Sequence, residues 1–128
     1  MPVRIFAALI GLFNLGNGLY AALLPQKWFH DAPGAADTGP FNPHFVSDVG
    51  LGFITAGIAF LIYVWCPRHR LLALGASGFV VFHALFHLTA LVSGHHAYVA
   101  VDLLIALLAF AGPALCWPWQ VSRQEHAV

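Results

Sequence analysis

Four long runs of apolar residues, separated by polar breaks, dominate the chain. They extend from about Val3 to Leu24, His44 to Trp65, Leu71 to Ser93 and Ala97 to Trp117. Each has the roughly 20 residues that an α-helix needs to cross the hydrocarbon core of a bilayer. The strict apolar–polar alternation of a membrane-spanning strand is absent, so the pattern predicts helices rather than a barrel. Asn42-Pro43 marks the start of the second run: Asn is a natural N-cap, and Pro at the first helical position sacrifices no hydrogen bond. Gly112-Pro113, near the end of the fourth run, predicts a kink.

The connections differ in length. Residues 66–70 and 94–96 are short breaks, which makes spans two and three, and three and four, antiparallel neighbours. The first connection, 25–43, holds Pro25, Pro33, Gly34, Gly39, Pro40 and Pro43. It reads as a long loop without regular structure over the bundle mouth, with Trp28 and Phe29 at headgroup level. The first run lacks a small-x-small cleavage site before Pro25 and reads as a retained span, not a signal peptide.

Composition narrows the classes. Apolar residues make up 60% of the chain and charged residues 8%, against about a quarter charged in a soluble domain. Disorder and a soluble monomer are both excluded on that ground. Five basic residues balance five acidic ones, which gives no basis for nucleic-acid binding. Arg4, Arg68, Arg70 and Arg123 all fall on one side of a four-span layout, while Lys27, Asp31 and Asp37 fall on the other. The positive-inside rule then puts both termini in the cytoplasm. The expected fold is all-α, a single four-helix transmembrane bundle over 1–128. Trp65, Trp117 and Trp119 would form its inner aromatic belt and Tyr98 part of the outer one. Cys66 and Cys116 fall at the cytoplasmic ends, where a structural disulfide is not expected.

Ionisable residues inside a span are costly and mark sites or helix contacts. His44 and Asp48 lie four apart in span two, and His83 and His87 four apart in span three, so each pair shares a helical face. Span four adds Asp102, and span one adds Asn14 and Asn17. At about 1.5 Å of rise per residue, Asp48, Asp102, His87 and Asn17 fall roughly 6 to 10 Å below the outer helix ends. His83 is one turn deeper. The alternating helix directions thus bring polar groups from all four spans to nearly one level. Small residues accompany them: Gly11, Asn14, Gly18 and Ala21; Asp48, Gly52, Thr55, Ala56 and Ala59; Asp102, Ala106 and Ala109. Such faces let membrane helices approach closely, which predicts that the polar groups meet inside the bundle.

His44, Asp48, His83 and His87 make a three-His, one-carboxylate set, with Asp102 as a further ligand or as an orienter of a ligand. That chemistry suits zinc, iron, copper or manganese. His95, His96 and His30 would serve as entry ligands. A b-type haem held by His44 and His87 is a second reading of the same residues. A third is a polar network that only fastens helices in an accessory subunit of a larger membrane complex or homo-oligomer. Proton or ion passage is a fourth. A metal site would serve metal handling, or a redox or hydrolytic reaction on a lipophilic small molecule. No nucleophile triad or phosphate-binding loop accompanies the set.

Two segments, Pro33-Gly34 through Gly39-Pro40-Phe41-Asn42-Pro43-His44-Phe45-Val46-Ser47-Asp48-Val49-Gly50 and His83-Ala84-Leu85-Phe86-His87, resemble small bacterial four-helix inner-membrane proteins, loosely similar to the DoxX-like set. The resemblance implies a four-span fold in a bacterial inner membrane with an outward-facing His/Asp site, and no defined activity. Members of that pattern often carry an acid three positions after the second His. Ala90 stands there in this chain, with Asp102 as the available substitute.

Overall fold

In a computed structural model of the chain, residues 2–93 and 98–117 are described, with the side chain of Ala90 excepted. Their elements are α1 (Pro2–Leu23), α2 (Pro25–Asp31), a 3-10 turn (Ala35–Thr38), α3 (Pro43–Trp65), a second 3-10 turn (Pro67–His69), α4 (Arg70–Val92) and α5 (Val99–Cys116). No strand occurs among the described residues. α1, α3, α4 and α5 are each long and apolar enough to cross a membrane, which makes this a multi-pass membrane protein by length and composition. Large apolar side chains such as Ile5, Phe6, Phe82 and Leu107 point outward. Lipid, not water, is the solvent such surfaces suit.

Local signals place the helix starts. Asn42 caps α3 by accepting a hydrogen bond from the Phe45 amide at 3.2 Å, with Pro43 at the first helical position. Pro113 sits inside α5, which nevertheless continues to Cys116. The break between α3 and α4 holds Pro67 and is a single 3-10 turn. Cys66 and Cys116 are free thiols. Trp65 is almost fully exposed at the end of α3. Trp119, Arg123, His95 and His96 lie outside the described residues.

The first connection departs from expectation. It is not an irregular loop, because residues 25–31 form α2. Pro25 starts that helix where its missing N–H is harmless. Phe29 then drops into a small core with Ala21 and Val46, and Trp28 donates its indole N–H to Asn17 at 2.9 Å. These contacts tie the helix to α1 and α3. The proline and glycine content that suggested irregularity is concentrated after it, where Gly34 (φ 81°) and Gly39 (φ 132°) take left-handed backbone conformations.

α1 packs chiefly against α3, α5 chiefly against α4, and α3 joins the two pairs through α4. The α1–α3 seam is built on glycine. A Cβ on Gly57 would stand 2.5 Å from the Leu15 amide nitrogen, and one on Gly18 would stand 2.6 Å from the Gly50 carbonyl oxygen. Gly11, Asn14, Gly18 and Ala21 are buried along this seam, as their spacing predicts. The α3 stripe needs correction: Gly50, Ala56, Gly57 and Ala59 are buried, whereas Asp48 and Thr55 are exposed. Backbone-to-backbone contact with α1 fixes the rotation of α3 and turns the Asp48 face outward. Asp102, Ala106 and Ala109 of α5 are buried together.

Candidate functional site

The polar residues fall into separate groups instead of one cluster. Asn14 is 3% exposed, and its Nδ2 donates to the Ile10 carbonyl of its own helix at 2.8 Å. Its Oδ1 is buried with no hydrogen-bond partner. Asn17 receives the Trp28 indole and so serves the docking of α2. Neither asparagine joins the ionisable residues, contrary to the expected meeting of all four spans.

His44 and Asp48 form a pair of their own, Nε2 to Oδ2 at 3.4 Å, with side chains 88% and 57% exposed. They sit in the first turns of α3 on its outward face. The rotation that seats Gly50 and Gly57 on α1 leaves them there. His44 and His87, the two residues considered for axial haem ligation, therefore belong to different polar groups.

The second group lies between α4 and α5. His87 Nδ1 is 2.8 Å from Asp102 Oδ1, and its Nε2 is 3.2 Å from His83 Nε2. The His87 and Asp102 side chains are 28% and 11% exposed. Asp102 follows Tyr98 by one helical turn, and its amide donates to the Tyr98 carbonyl at 3.0 Å. The first turn of α5 thus faces the last turns of α4, and a carboxylate meets an imidazole. A carboxylate accepts hydrogen bonds, so the Asp102 contact suits the tautomer of His87 that carries its proton on Nδ1. One chain of three groups runs down the helix interface.

Aromatic rings hold the lower end of this chain. Phe79 stacks on His83 with centroids 5.9 Å apart and planes 18° apart, and Phe53 meets the same imidazole edge-on at 5.2 Å. Phe53 and Phe79 also contact one another at 5.2 Å. Gly52 makes room for this arrangement, since a Cβ there would lie 2.5 Å from Phe79 Cζ. Neither phenylalanine stands out in the sequence among 11. The legible signal is spacing alone: Phe79, His83 and His87 succeed each other at four residues on one face of α4.

Among the described residues, no group of three or more His, Cys, Asp or Glu side chains is arranged to hold a metal ion. Two imidazole nitrogens 3.2 Å apart nonetheless match two adjacent vertices around one ion. With metal–nitrogen bonds of about 2.0–2.1 Å, that separation corresponds to an N–metal–N angle of about 100°. Asp102 would then act behind His87, on the ring nitrogen turned away from the ion.

A third polar cluster fastens α2 at the same end of the bundle. Lys27 Nζ lies 2.6 Å from Asp31 Oδ2 and 3.0 Å from the Tyr20 hydroxyl, which also donates to Asp31. The Lys27 ammonium, helped by the Tyr20 hydroxyl, holds the Asp31 carboxyl below its ordinary range, and Asp31 holds Lys27 above its own. His30 and Asp31 line an open groove of about 660 Å³ with Phe41 and Pro43.

Compared with known protein families, curated proteins and solved structures, the chain matches none.

Proposed function

We propose that this protein binds a transition metal within the membrane, using His83 and His87 of α4 as ligands and Asp102 of α5 to orient His87. The observation that carries the reading is the arrangement of ring nitrogens: two Nε2 atoms 3.2 Å apart, one of them backed by a carboxylate at 2.8 Å. A carboxylate behind a ligating imidazole fixes its tautomer and raises its basicity, as in many metal sites. His44 and Asp48 serve as a delivery pair on the exposed face of α3 and not as ligands of the same ion. Remaining positions around the metal would be open to water or to a small lipophilic molecule entering from the bilayer. The arginine distribution favours both termini inside and a site facing outward, and the resemblance to small bacterial four-helix proteins favours a bacterial inner membrane.

One observation favours a second reading. The Asp102–His87 bond joins α4 to α5, so the group could act only as a helix fastener in an accessory subunit. Elemental analysis separates the two. The protein would be purified in mild detergent without chelators or a metal-binding tag, from cells supplied with metals. Stoichiometric metal, lost in His87→Ala, supports the site. Metal-free preparations whose His87→Ala variant loses only thermal stability support the fastener.

A further inference from the structure

Where α1 gives way to α2, the chain forms a groove that the metal-binding reading does not involve. We propose that it seats a phosphatidylethanolamine headgroup, with Lys27 on the lipid phosphate and Asp31 on its primary ammonium. The groove holds about 660 Å³ and lies at the bundle end where α1 finishes and α3 begins. That size falls within the range of about 300–1,000 Å³ usual for small-molecule sites. Its walls are of two kinds: Leu23, Leu24, Phe41 and Pro43 are apolar, and Lys27 and Asp31 are charged. Leu23 and Leu24 are exposed where a helix long and apolar enough to span a membrane ends, and Trp28 follows on α2. This is the level at which a bilayer changes from acyl chain to headgroup. An amphiphile matches it, with its chains along the leucines and its headgroup over the charges.

The hydrogen bonds inside the groove leave one donor and one acceptor over. Of its three ammonium protons, Lys27 gives one to Asp31 Oδ2 at 2.6 Å and one to the Tyr20 hydroxyl at 3.0 Å. The Tyr20 hydroxyl donates in turn to the same Asp31 oxygen. Among the described residues, nothing accepts the third Lys27 proton and nothing donates to Asp31 Oδ1. Each partner also holds the other in its charged form: Asp31 keeps Lys27 above its ordinary range, and Lys27 keeps Asp31 below its own. A phosphate and an ammonium joined by a two-carbon link can lie antiparallel to this pair, each charge beside its opposite. The proton and the oxygen left over then make the two bonds to the headgroup.

The same inventory sets the preference among lipids. Lys27 and Asp31 cancel in charge, so a headgroup with no net charge suits them. Phosphatidylglycerol would satisfy Lys27 but bring its phosphate against the Asp31 carboxylate. Phosphatidylcholine has the right charges, but its quaternary ammonium has no N–H to give Asp31 Oδ1. Soluble glycerophosphoethanolamine has the right polar groups but leaves the leucines without a partner.

The test is native mass spectrometry of the full chain from mild detergent. It would be titrated with phosphatidylethanolamine, phosphatidylcholine and phosphatidylglycerol, all with dioleoyl chains. We expect one phosphatidylethanolamine per chain, bound about tenfold more tightly than either other lipid, as a hydrogen bond between charged groups allows. Asp31→Asn should bring phosphatidylethanolamine down to the level of phosphatidylcholine. Lys27→Gln should weaken both, and Lys27→Arg should keep them. Arg68→Gln, at the opposite end of the bundle, should bind as the wild type does. If the groove variants do not fold, the ranking on the wild-type chain decides the matter. Phosphatidylcholine bound as tightly as phosphatidylethanolamine would overturn the proposal, because the ammonium would then go unread. Phosphatidylglycerol bound most tightly would overturn it too, leaving only attraction to Lys27. Displacement of the lipid by an equal concentration of glycerophosphoethanolamine would make the ligand a soluble headgroup and overturn the lipid.

Discussion

The two helix pairs of this bundle are held together by different means. α1 and α3 meet backbone to backbone, with Gly18, Gly50 and Gly57 leaving no room for side chains between them. α4 and α5 meet through side chains, and the Asp102–His87 bond is a polar contact between them. α4 is also the least enclosed of the four long helices. Its Gly75 and Gly78 face open space, where a Cβ would touch nothing within 4 Å. In lipid, burial of apolar surface contributes little to helix association, so close packing must supply the adhesion. The α1–α3 pair has that packing and forms the rigid half. The α4–α5 pair trades some of it for titratable groups in a partly open interface.

The largest expected effect comes from breaking the rigid half. Gly57→Val would place two methyl groups against the Leu15 amide and the Gly11 carbonyl, which are backbone and cannot yield. Overpacking of this kind costs about 1–3 kcal/mol, and more where backbone must move. Thermal unfolding in detergent should show a large fall in Tm or no folded protein at all. Gly75→Ala is the matching change in the other half. Its Cβ meets nothing, and alanine is favoured over glycine in a helix by about 1 kcal/mol or less in water. Its Tm should stay level or rise. Equal damage from the two substitutions would mean that the glycine seam is not what separates the pairs.

Next in size is the carboxylate of the other half. Asp102→Asn keeps a side-chain oxygen near His87 but removes the charge and admits the wrong tautomer. Loss of such an outer partner typically lowers metal affinity about 10–100-fold. Chelator competition on the variant reads this directly. Its Tm should fall by far less than that of Gly57→Val. An affinity equal to wild type would reduce Asp102 to a fastener.

Much of this was legible in the chain. The four helices follow from run length, the cap at Asn42 from residue type, and the level of Asp102 with His87 from counting rise per residue. The buried face of α1 follows from Gly11, Asn14, Gly18 and Ala21. Helix rotation was less accessible. Periodicity presents two stripes of small residues on α3, one with Gly50 and Gly57 and one with Gly52 and Thr55. Only contact with Gly11 and Gly18 chooses between them, and that choice sends Asp48 outward. α2 was hidden for another reason. Seven residues cannot form a stable helix by their own propensity, and this one depends on Phe29 and Trp28 finding partners on α1 and α3.

A smaller effect is expected where α2 is anchored. Trp28→Phe keeps an aromatic ring beside Phe29 but removes the indole N–H, leaving the half-buried Asn17 oxygen without that donor. An unmade hydrogen bond of this sort costs about 1 kcal/mol. Protease cleavage within 25–43 should become faster, while metal affinity at His83 and His87 should not change. Altered affinity would mean that the two halves communicate through α3.

The Lys27–Asp31–Tyr20 cluster should respond least, because an ion pair with both side chains largely in solvent is screened. Its sign is nevertheless fixed. Asp31 has a lowered pKa in the folded protein, so its contribution is complete above the ordinary carboxylate range and disappears as pH falls through the lowered value. Lys27 acts in the opposite sense. Its raised pKa gives a contribution that is complete below the ordinary lysine range and disappears only as pH rises through the raised value. Between those limits the pair should hold α2 against Tyr20 without pH dependence. Trp28 fluorescence can follow this, since α2 carries its ring. Acidification below the carboxylate range should shift the emission, and Asp31→Asn should give the shifted spectrum at neutral pH. A shift centred near neutral pH would instead implicate an imidazole, and His30, at the groove beside Asp31, is the group to replace next.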